Sequence, residues 1–420
     1  MPQEDKHRPL YGRAFRCIGA ECEETCCHGM SVLLDRRTYE KYQAFPQGEL
    51  RILAQQYVAR NMENPTETLY GRIDLTPSHD CPFFSADRLC KIQNELGVEA
   101  LSPTCSIYPR ALNQVQGEIE VSLHLSCPEA ARQVLLDPEF STRVAGQDAS
   151  WFHTDRFSRL AANGEGLIHK PYAYFQEVRQ SVVTLLRDRA RPLWQRMFLL
   201  GTLCQQLNEI AAPEQDAAVP AVLAHYAEIV ATQDLKQELE NLDSQPEAQL
   251  NAVLQLSDLR LRAGAVEGRF RECVMEALAG LGDAPDVPAP DYSRHYLHAQ
   301  RQYFLPLMEQ RPYLLENYLL NYVYRTLFPF GREASAHIAP LDIYSEYLLL
   351  AAQFSIVQGL LIALAGHYRE QFGVEHVVKL VQSVSKALEH NPTFLAQIGD
   401  FLRTQNLASP QGIVTLLKLP

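Results

Sequence analysis

Residues 17–28 have the sequence CIGAECEETCCH, in which four cysteines follow one another as Cys17-x4-Cys22-x3-Cys26-Cys27. This stretch decides how the first third of the chain folds, because one loop that carries several thiols can supply more than one ligand to a metal. Eight of the ten cysteines in the 420 residues lie within the first 127. In a cytosolic chain such crowding indicates metal binding rather than a disulfide framework.

The other four of these eight cysteines lie between residues 81 and 127, and they must fold back onto the first loop to complete a shell of about four ligands. The predicted metal ligands are Cys17, Cys22, Cys26, Cys27, Cys81, Cys90, Cys105 and Cys127. Eight thiols fit one four-ligand cluster with spares, or two four-ligand sites. Their spacing matches neither paired C-x2-C zinc knuckles nor a ferredoxin C-x2-C-x2-C run. The spacing therefore does not decide between two alternatives, an iron–sulfur cluster and a zinc ion that only stabilises the fold.

The residues of this group differ in how well they suit the role of a metal ligand. Cys26 and Cys27 are adjacent, so their side chains diverge in any regular conformation, and we expect that they do not serve one site equivalently. Cys127 precedes Pro128 at a predicted helix start, where the helix dipole and free amides favour a thiolate. His28 is either a ligand or a structural neighbour of the metal. Cys22, Cys26, Cys81, Cys90, Cys105 and Cys127 are therefore predicted as ligands ahead of Cys17 and Cys27.

Residues 1–140 are predicted to form a small cysteine-rich α+β module. Arg110–Val115 and Glu118–Leu125 flank Gln116-Gly117, which indicates a β-hairpin, and the second run alternates apolar and polar residues. Ser126-Cys127-Pro128-Glu129 has the form of a helix start, with proline and an acid in the first turn. Two shorter strands are predicted at Ser31–Asp35 and Leu69–Leu75, and a helix is predicted from Thr38.

After about residue 150 the apolar residues recur with a helical period, which predicts a larger all-helical body and a fold class that is mainly α. This body is divided into a helical domain, 141–282, and a helical C-terminal domain, 292–420. The division falls at Gly282–Asp291, which contains three prolines and no hydrophobic period. Cys204 and Cys273 lie on apolar stripes of this body and are predicted to be core residues.

Charge and hydropathy exclude several classes of partner. The net charge is −12 and the pI is about 5.6, which argues against a protein that binds nucleic acid through clustered Lys and Arg. The N-terminus lacks the apolar segment of a signal peptide, so we expect a cytoplasmic protein. Tyr347–Gly366 is apolar, but it contains Gln353, Ser355 and Gln358, which indicates a buried core helix rather than a membrane span. No membrane partner is predicted, and no feature fixes an oligomeric state.

The cysteine motifs and a C-terminal motif occur in one combination that extends over most of the chain. Together they resemble the flagellin lysine-N-methylase family, the FliB-like cysteine-cluster proteins. The matching segments are 17–29 with Asp35-x2-Thr38-Tyr39-x2-Tyr42, Cys81-Pro-Phe-Phe, Leu89–Gln93, Leu101–Arg110, Leu125–Arg132, Leu315–Arg325 and Phe328-Pro-Phe330. Residues 133–290 match only in helical character, and Met30 stands where the family pattern has Trp.

This resemblance implies transfer of methyl groups from S-adenosylmethionine to lysine side chains of flagellin, with a 4Fe–4S cluster needed for activity. It implies a protein-lysine N-methyltransferase that acts in the cytoplasm before flagellin is exported. Cys22-x3-Cys26 is followed directly by Cys27, so the C-x3-C-x2-C loop of radical S-adenosylmethionine enzymes is not reproduced. Gly164-Glu-Gly166 has no third glycine and no preceding strand, so it is not a dinucleotide-binding loop.

One predicted helix, from about Pro312 to Leu327, carries polar side chains at four-residue spacing. Asn317, Asn321 and Arg325 form this face, with Tyr324 beside them, and Glu316 is the nearest acid. In the functional interpretation Asn317, Asn321 and Arg325 bind the cofactor's carboxylate or ribose, while Tyr324 and Glu316 accept and steer the substrate ammonium. In the structural interpretation the same side chains satisfy buried backbone groups between packed elements.

Two classes of function therefore remain at this point. The first is a flagellin lysine methyltransferase that depends on an iron–sulfur cluster. The alternative is a non-enzymatic scaffold protein that binds iron–sulfur or zinc, from the wider group that shares this cysteine pattern. The long helical body favours the enzyme, because a metal carrier does not need it.

Overall fold

The fold is given by a computed structural model that describes residues 9–30, 32–63, 65–142, 158–159, 168–263, 268–282, 291–331, 341–389 and 391–419. The proline-rich stretch between Gly282 and Asp291 and the Gly164-Glu-Gly166 segment lie outside these residues. Within them the protein is mainly α-helical with two small sheets, as predicted.

The first sheet has the order β1-β3-β2 and is antiparallel throughout. Its strands are β1 Val32–Leu34, β2 Val58–Arg60 and β3 Gly71–Ile73. Helices α1 Arg36–Gln43 and α2 Glu49–Tyr57 lie between β1 and β2, and α3 Lys91–Leu96 and α4 Pro103–Ile107 follow β3. The Asp35 carboxylate accepts a hydrogen bond from the Thr38 amide at 2.7 Å, which caps α1 and explains why the helix begins there. The strands predicted near residues 31–35 and 69–75 are confirmed, and β2 is a strand that the sequence did not indicate.

The second sheet contains the predicted hairpin. Strand β4, Arg110–Val115, pairs antiparallel with β5, Glu118–Leu123, and the turn residues Gln116 and Gly117 both have positive φ, as a tight hairpin turn requires. The short strand β6, Ser158–Arg159, pairs with β4 in parallel, which departs from the predicted all-helical character of the later chain. Helix α5, Pro128–Leu135, begins at the predicted position with Cys127 as its N-cap residue.

The remaining described helices form the body. They are α6 Phe175–Leu186, α7 Leu193–Asn208, α8 Val219–Thr232, α9 Lys236–Glu240, α10 Pro246–Arg262, α11 Gly268–Gly280, α12 Tyr292–Ala299, α13 Leu305–Gln310, α14 Tyr313–Thr326, α15 Ile343–Tyr368, α16 Val374–Leu388, α17 Pro392–Thr404 and α18 Pro410–Leu417. A π-helical turn, Gln300–Phe304, joins α12 to α13. Cys204 and Cys273 are fully buried on α7 and α11, which confirms them as core residues.

The central helix α15 is the apolar segment that raised the membrane question. Over Ile343–Gln371 it is long and apolar enough to cross a bilayer, but 94% of its most apolar window is buried inside the protein. Helices α7, α10, α11, α12 and α16 pack around it. The interpretation as a core helix is therefore confirmed.

The buried apolar residues form two cores. The small core comprises buried residues between Val32 and Leu101. The large core spans the helical body and also takes in Tyr11, the hairpin and α5. The packing thus joins the second half of the cysteine-rich region to the body, whereas the domain limits at 140, 282 and 292 stay predictions.

Candidate metal centre and the cleft beside it

The first four cysteines lie on a loop whose backbone is held by short-range hydrogen bonds. The Gly19 amide donates to Cys17 Sγ at 3.4 Å, and the Cys22 thiol donates to the Glu24 carbonyl oxygen at 3.0 Å. Gly19 has a φ of 58°, a conformation that glycine adopts without strain. The sequence between Cys17 and Cys27 therefore folds into turns that bring several sulfurs to one side.

The second four cysteines lie at or near the starts of short helices. Cys90 and Cys127 are the N-cap residues of α3 and α5, and Cys105 lies in the first turn of α4, where its amide donates to the Ser102 hydroxyl at 3.1 Å. The Cys81 amide donates to the Cys27 carbonyl oxygen at 2.7 Å, which ties the two groups together. Free amides at helix starts favour a thiolate, so these positions suit ligands.

The eight thiols converge. Cys26 interacts electrostatically with Cys22, Cys90, Cys105 and Cys127, and it is hydrogen-bonded to its neighbour Cys27. Residues 26 and 27 form a turn rather than a helix or strand, which lets the two adjacent thiols approach each other. That they do not serve one site equivalently stays a prediction.

The two outer members complete the group. The Cys27 thiol is also hydrogen-bonded to Cys81, and Cys17 interacts with Cys22. Tertiary folding has thus brought both sequence groups to one place.

The surroundings of several of these thiols raise their pKa values. The hydrogen bond with Cys27 raises the pKa of Cys26, and burial raises the pKa of Cys127 to about 12. Burial also raises the pKa of Cys90. Metals bind the thiolate, so metal binding here would release protons and would depend on pH.

The donor set fits a cysteine-ligated metal by its chemistry. All ten cysteines, each in the described part of the chain, are free thiols. Over the same residues no three His, Cys, Asp or Glu side chains stand in ligating geometry. His28 pairs with Asp80 at 2.9 Å, so its ring already has a protein partner. The metal and its ligands therefore stay a prediction, which rests on eight soft sulfur donors gathered without disulfide pairing.

The polar residues of α14 lie elsewhere, against the hairpin and α5. Asn317 Nδ2 donates to the carbonyl oxygens of Val134 and Asp137, each at 2.9 Å. Asn321 Nδ2 donates to the Leu123 carbonyl oxygen at 3.1 Å, and its Oδ1 accepts from the Tyr11 hydroxyl at 2.7 Å. These amides therefore fasten the helical body to the second sheet.

The charged members of this helix are also engaged by protein groups. Arg325 pairs with Glu389 at 2.8 Å, and Glu316 pairs with Arg189 and Arg196, both at 2.8 Å. All of these side chains except Arg189 are buried.

Tyr324 is buried as well. Its backbone carbonyl accepts from Asn113 at 3.0 Å, and burial raises its pKa, which opposes formation of a phenolate. The contacts of α14 match the structural interpretation, and the catalytic roles of Tyr324 and Glu316 and the cofactor roles of Asn317, Asn321 and Arg325 stay predictions.

A cleft opens between the cysteine loop and the body. It consists of two adjoining cavities of about 420 and 330 Å³ that share Glu23, Arg269 and Lys379. The first is next to the cysteine loop, through Glu24 and His28. The second has a more apolar wall, made by Leu136, Tyr368, Val374, His376 and Val378.

The sequence did not predict this cleft. Its lining comes from the cysteine loop, α5, α11, the end of α15 and α16, so no local spacing relates these residues. The local signal in the sequence is the pair of acids Glu23 and Glu24, which stand between the predicted metal ligands Cys22 and Cys26. A mixed-charge cleft with an aromatic wall, beside a group of thiols, is suited to a small polar ligand.

Comparison with known proteins gives the family. A family model described as the FliB lysine N-methylase C-terminal domain matches residues 179–416. Proteins named lysine-N-methylase from Salmonella typhimurium (strain LT2) and Salmonella choleraesuis (strain SC-B67) are each 25% identical over 422 residues, covering 97% of this chain and 98% of the relative.

A shorter relative and the solved structures complete the comparison. The flagellar biosynthetic protein FliU of Salmonella muenchen is 37% identical over 132 residues, which is 31% of this chain and 77% of that protein. No solved structure matches.

Proposed function

Because this chain belongs to the FliB lysine N-methylase family, we propose that it transfers methyl groups from S-adenosylmethionine to lysine side chains of flagellin. The observation that carries the proposal is similarity along nearly the whole chain to proteins named lysine-N-methylase, with 97% of this chain aligned. The flagellar name of the shorter relative supports flagellin as the substrate. We place the reaction in the cytoplasm, before flagellin is exported.

We further propose that the eight converged thiols hold a 4Fe–4S cluster, with zinc as the alternative metal. Such a cluster would supply an organised loop beside the cleft. The preferred ligands are Cys22, Cys26, Cys81, Cys90, Cys105 and Cys127, while Cys17 and Cys27 are weaker candidates. Soft thiolates are the ligands that iron–sulfur clusters require, and eight of them give at least one complete set.

The methyl transfer itself requires a neutral amine. A lysine side chain has a reference pKa of about 10.4, and its ammonium form has no lone pair. The site must therefore desolvate the ammonium or supply a base that takes the proton. The nitrogen lone pair then forms the N–C bond as the bond between the methyl carbon and the sulfonium sulfur breaks, and the electron pair stays on sulfur. Holding both partners in line at near-attack distance supplies much of the rate.

Anaerobic purification and a transfer assay test the two parts of the proposal. The protein should be brown, with a broad absorption at about 400 nm and bound iron and sulfide. Incubation with methyl-labelled S-adenosylmethionine and monomeric flagellin should label lysines.

Two results would contradict it. Colourless protein with stoichiometric zinc would refute the iron–sulfur cluster. An intact cluster without any methyl transfer would favour the non-enzymatic scaffold.

A further inference from the structure

The end of the cleft beside the cysteine loop contains two opposite charges that are close but not hydrogen-bonded. Glu24 Oε1 accepts from Lys386 Nζ at 2.7 Å, whereas Glu24 Oε2 is buried and has no hydrogen-bond partner. An Arg269 guanidinium nitrogen lies 3.7 Å from Glu24 Oε2, and another lies 3.7 Å from Glu23 Oε1. Within the described residues Arg269 makes no hydrogen bond. Glu24 and Arg269 both line one cavity, and the ion pair between them is longer than a hydrogen bond.

The other charges of the cleft are satisfied by the protein. Arg132 donates to both carboxylate oxygens of Glu23, at 2.7 and 3.0 Å. Lys379 Nζ pairs with Glu272 at 2.9 Å and with Glu276 at 3.1 Å. These shorter pairs fix the walls of the cleft, whereas the pair between Arg269 and Glu24 is longer, at 3.7 Å, and is the one that a charged ligand can separate most readily.

An α-amino-acid group has the matching chemistry. Its carboxylate accepts two parallel hydrogen bonds from a guanidinium, and its ammonium donates to a carboxylate. The ammonium of a lysine side chain alone would pair with Glu24 but would be repelled by Arg269. Arg269 therefore favours a zwitterionic ligand over a simple cation.

The far part of the cleft suits a flat, uncharged ring. Leu136, Val374 and Val378 form an apolar wall, and beside it the ring centroids of Tyr368 and His376 lie 3.8 Å apart, with the rings tilted by 38°. Burial lowers the pKa of His376, which keeps its imidazole neutral at neutral pH. Aromatic and aliphatic groups of this kind bind a purine through apolar contact and stacking.

We propose that S-adenosylmethionine binds along this cleft, with its amino-acid end between Arg269 and Glu24 and its adenine against Tyr368 and Val374. The inference rests on the proposed methyl-transfer function, for which it names the donor's binding site. It differs from the earlier prediction for α14, whose Asn317, Asn321 and Arg325 contact protein groups. It also sets the methionine end two residues from Cys22 and Cys26 along the loop.

Equilibrium dialysis on the anaerobically purified, metal-loaded full chain tests the site. Arg269→Ala and Glu24→Gln should each weaken S-adenosylmethionine binding by about tenfold or more, since each removes a charge-assisted hydrogen bond. Arg271→Ala is the matched control, because Arg271 is an exposed residue of the same helix outside the cleft lining. Iron content should stay unchanged in all three. Glu24→Gln also removes the carboxylate partner of Lys386, so each variant is dialysed well below its own Tm.

A truncated ligand separates loss of a contact from damage to the fold. Methylthioadenosine lacks the amino-acid end, so Arg269→Ala should leave its affinity within about twofold of wild type. Equal weakening of both ligands, or unchanged S-adenosylmethionine affinity in both variants, would overturn the proposed site while leaving the methyltransferase proposal intact. If the wild-type protein binds no S-adenosylmethionine and transfers no methyl group, both proposals fail together.

Discussion

The cysteine loop and helix α14 both carry polar side chains at a spacing that predicts a binding site, but they differ in how far the protein itself satisfies those groups. On α14, Asn317 and Asn321 donate to buried carbonyl oxygens, and Glu316 and Arg325 lie in buried ion pairs. Around the loop, free thiols converge, and the buried Glu24 Oε2 has no hydrogen-bond partner.

The difference between these regions shows how binding groups can be separated from packing groups. A buried polar atom that the fold already satisfies contributes to stability, and it must break that contact before it can bind a ligand. Donors and acceptors that the fold gathers but leaves without a hydrogen bond are better candidates for a site. Four predictions test this distinction.

Loss of a thiol from the converged group should have the largest effect. Cys105→Ala is expected to abolish the absorption at about 400 nm and the bound iron, because it removes a cluster ligand. Cys204→Ala is the control, since Cys204 is a fully buried core residue that should cost only about 1 kcal/mol of stability. Loss of colour in Cys204→Ala, or full iron content in Cys105→Ala, would show that the cysteines have been wrongly assigned to the cluster and to the core.

Glu316→Gln should be the most destabilising change on α14. It leaves Arg196, whose side chain is 6% exposed, without its carboxylate partner, at an expected cost of about 3–5 kcal/mol in the free energy of unfolding. Glu40→Gln removes an exposed pair with Arg36 and should cost less than about 1 kcal/mol. Chemical denaturation measures both. Unchanged stability with lost methyl transfer would instead support the catalytic role predicted for Glu316.

Asn321→Ala should have an intermediate effect on stability. It leaves the buried Leu123 carbonyl oxygen and the Tyr11 hydroxyl without their shared partner, at a cost of about 1–3 kcal/mol. Asn94→Ala, at an exposed position of α3, is the control. The affinity for S-adenosylmethionine should not change. A strongly weakened affinity in stably folded Asn321→Ala would restore the cofactor role of this helix.

The smallest effect concerns the pH dependence of stability at His376. Burial lowers the pKa of His376 below its ordinary value of 6.5, with Glu375, Glu276 and Lys379 as its charged neighbours. The unfolded chain therefore takes up more protons than the folded protein as the pH falls below about 6.5, and stability should decrease there. Subtracting the unfolding profile of His376→Gln from that of the wild type isolates this contribution. A flat difference between pH 5 and 8 would contradict it.

The sequence alone determined the local elements and the chemical character of the first third of the chain. Gln116-Gly117 predicted the hairpin because its residues adopt positive φ, and Cys127-Pro128 predicted the start of α5 because proline suits the first helical turn. The crowding of eight thiols predicted a metal site, and the helical period placed Cys204 and Cys273 in the core. Each of these signals depends on neighbours in the chain.

Tertiary structure alone decided which polar groups are satisfied and where the cleft lies. The four-residue spacing of Asn321 on α14 predicted a binding role, but its hydrogen-bond partners Tyr11 and Leu123 are 310 and 198 residues away in sequence. Glu24 and Arg269 come from distant segments and meet at 3.7 Å only after the cysteine loop packs against α11. The physical reason is that hydrogen-bond satisfaction and cavity shape depend on which surfaces are brought together, and no local period encodes that pairing.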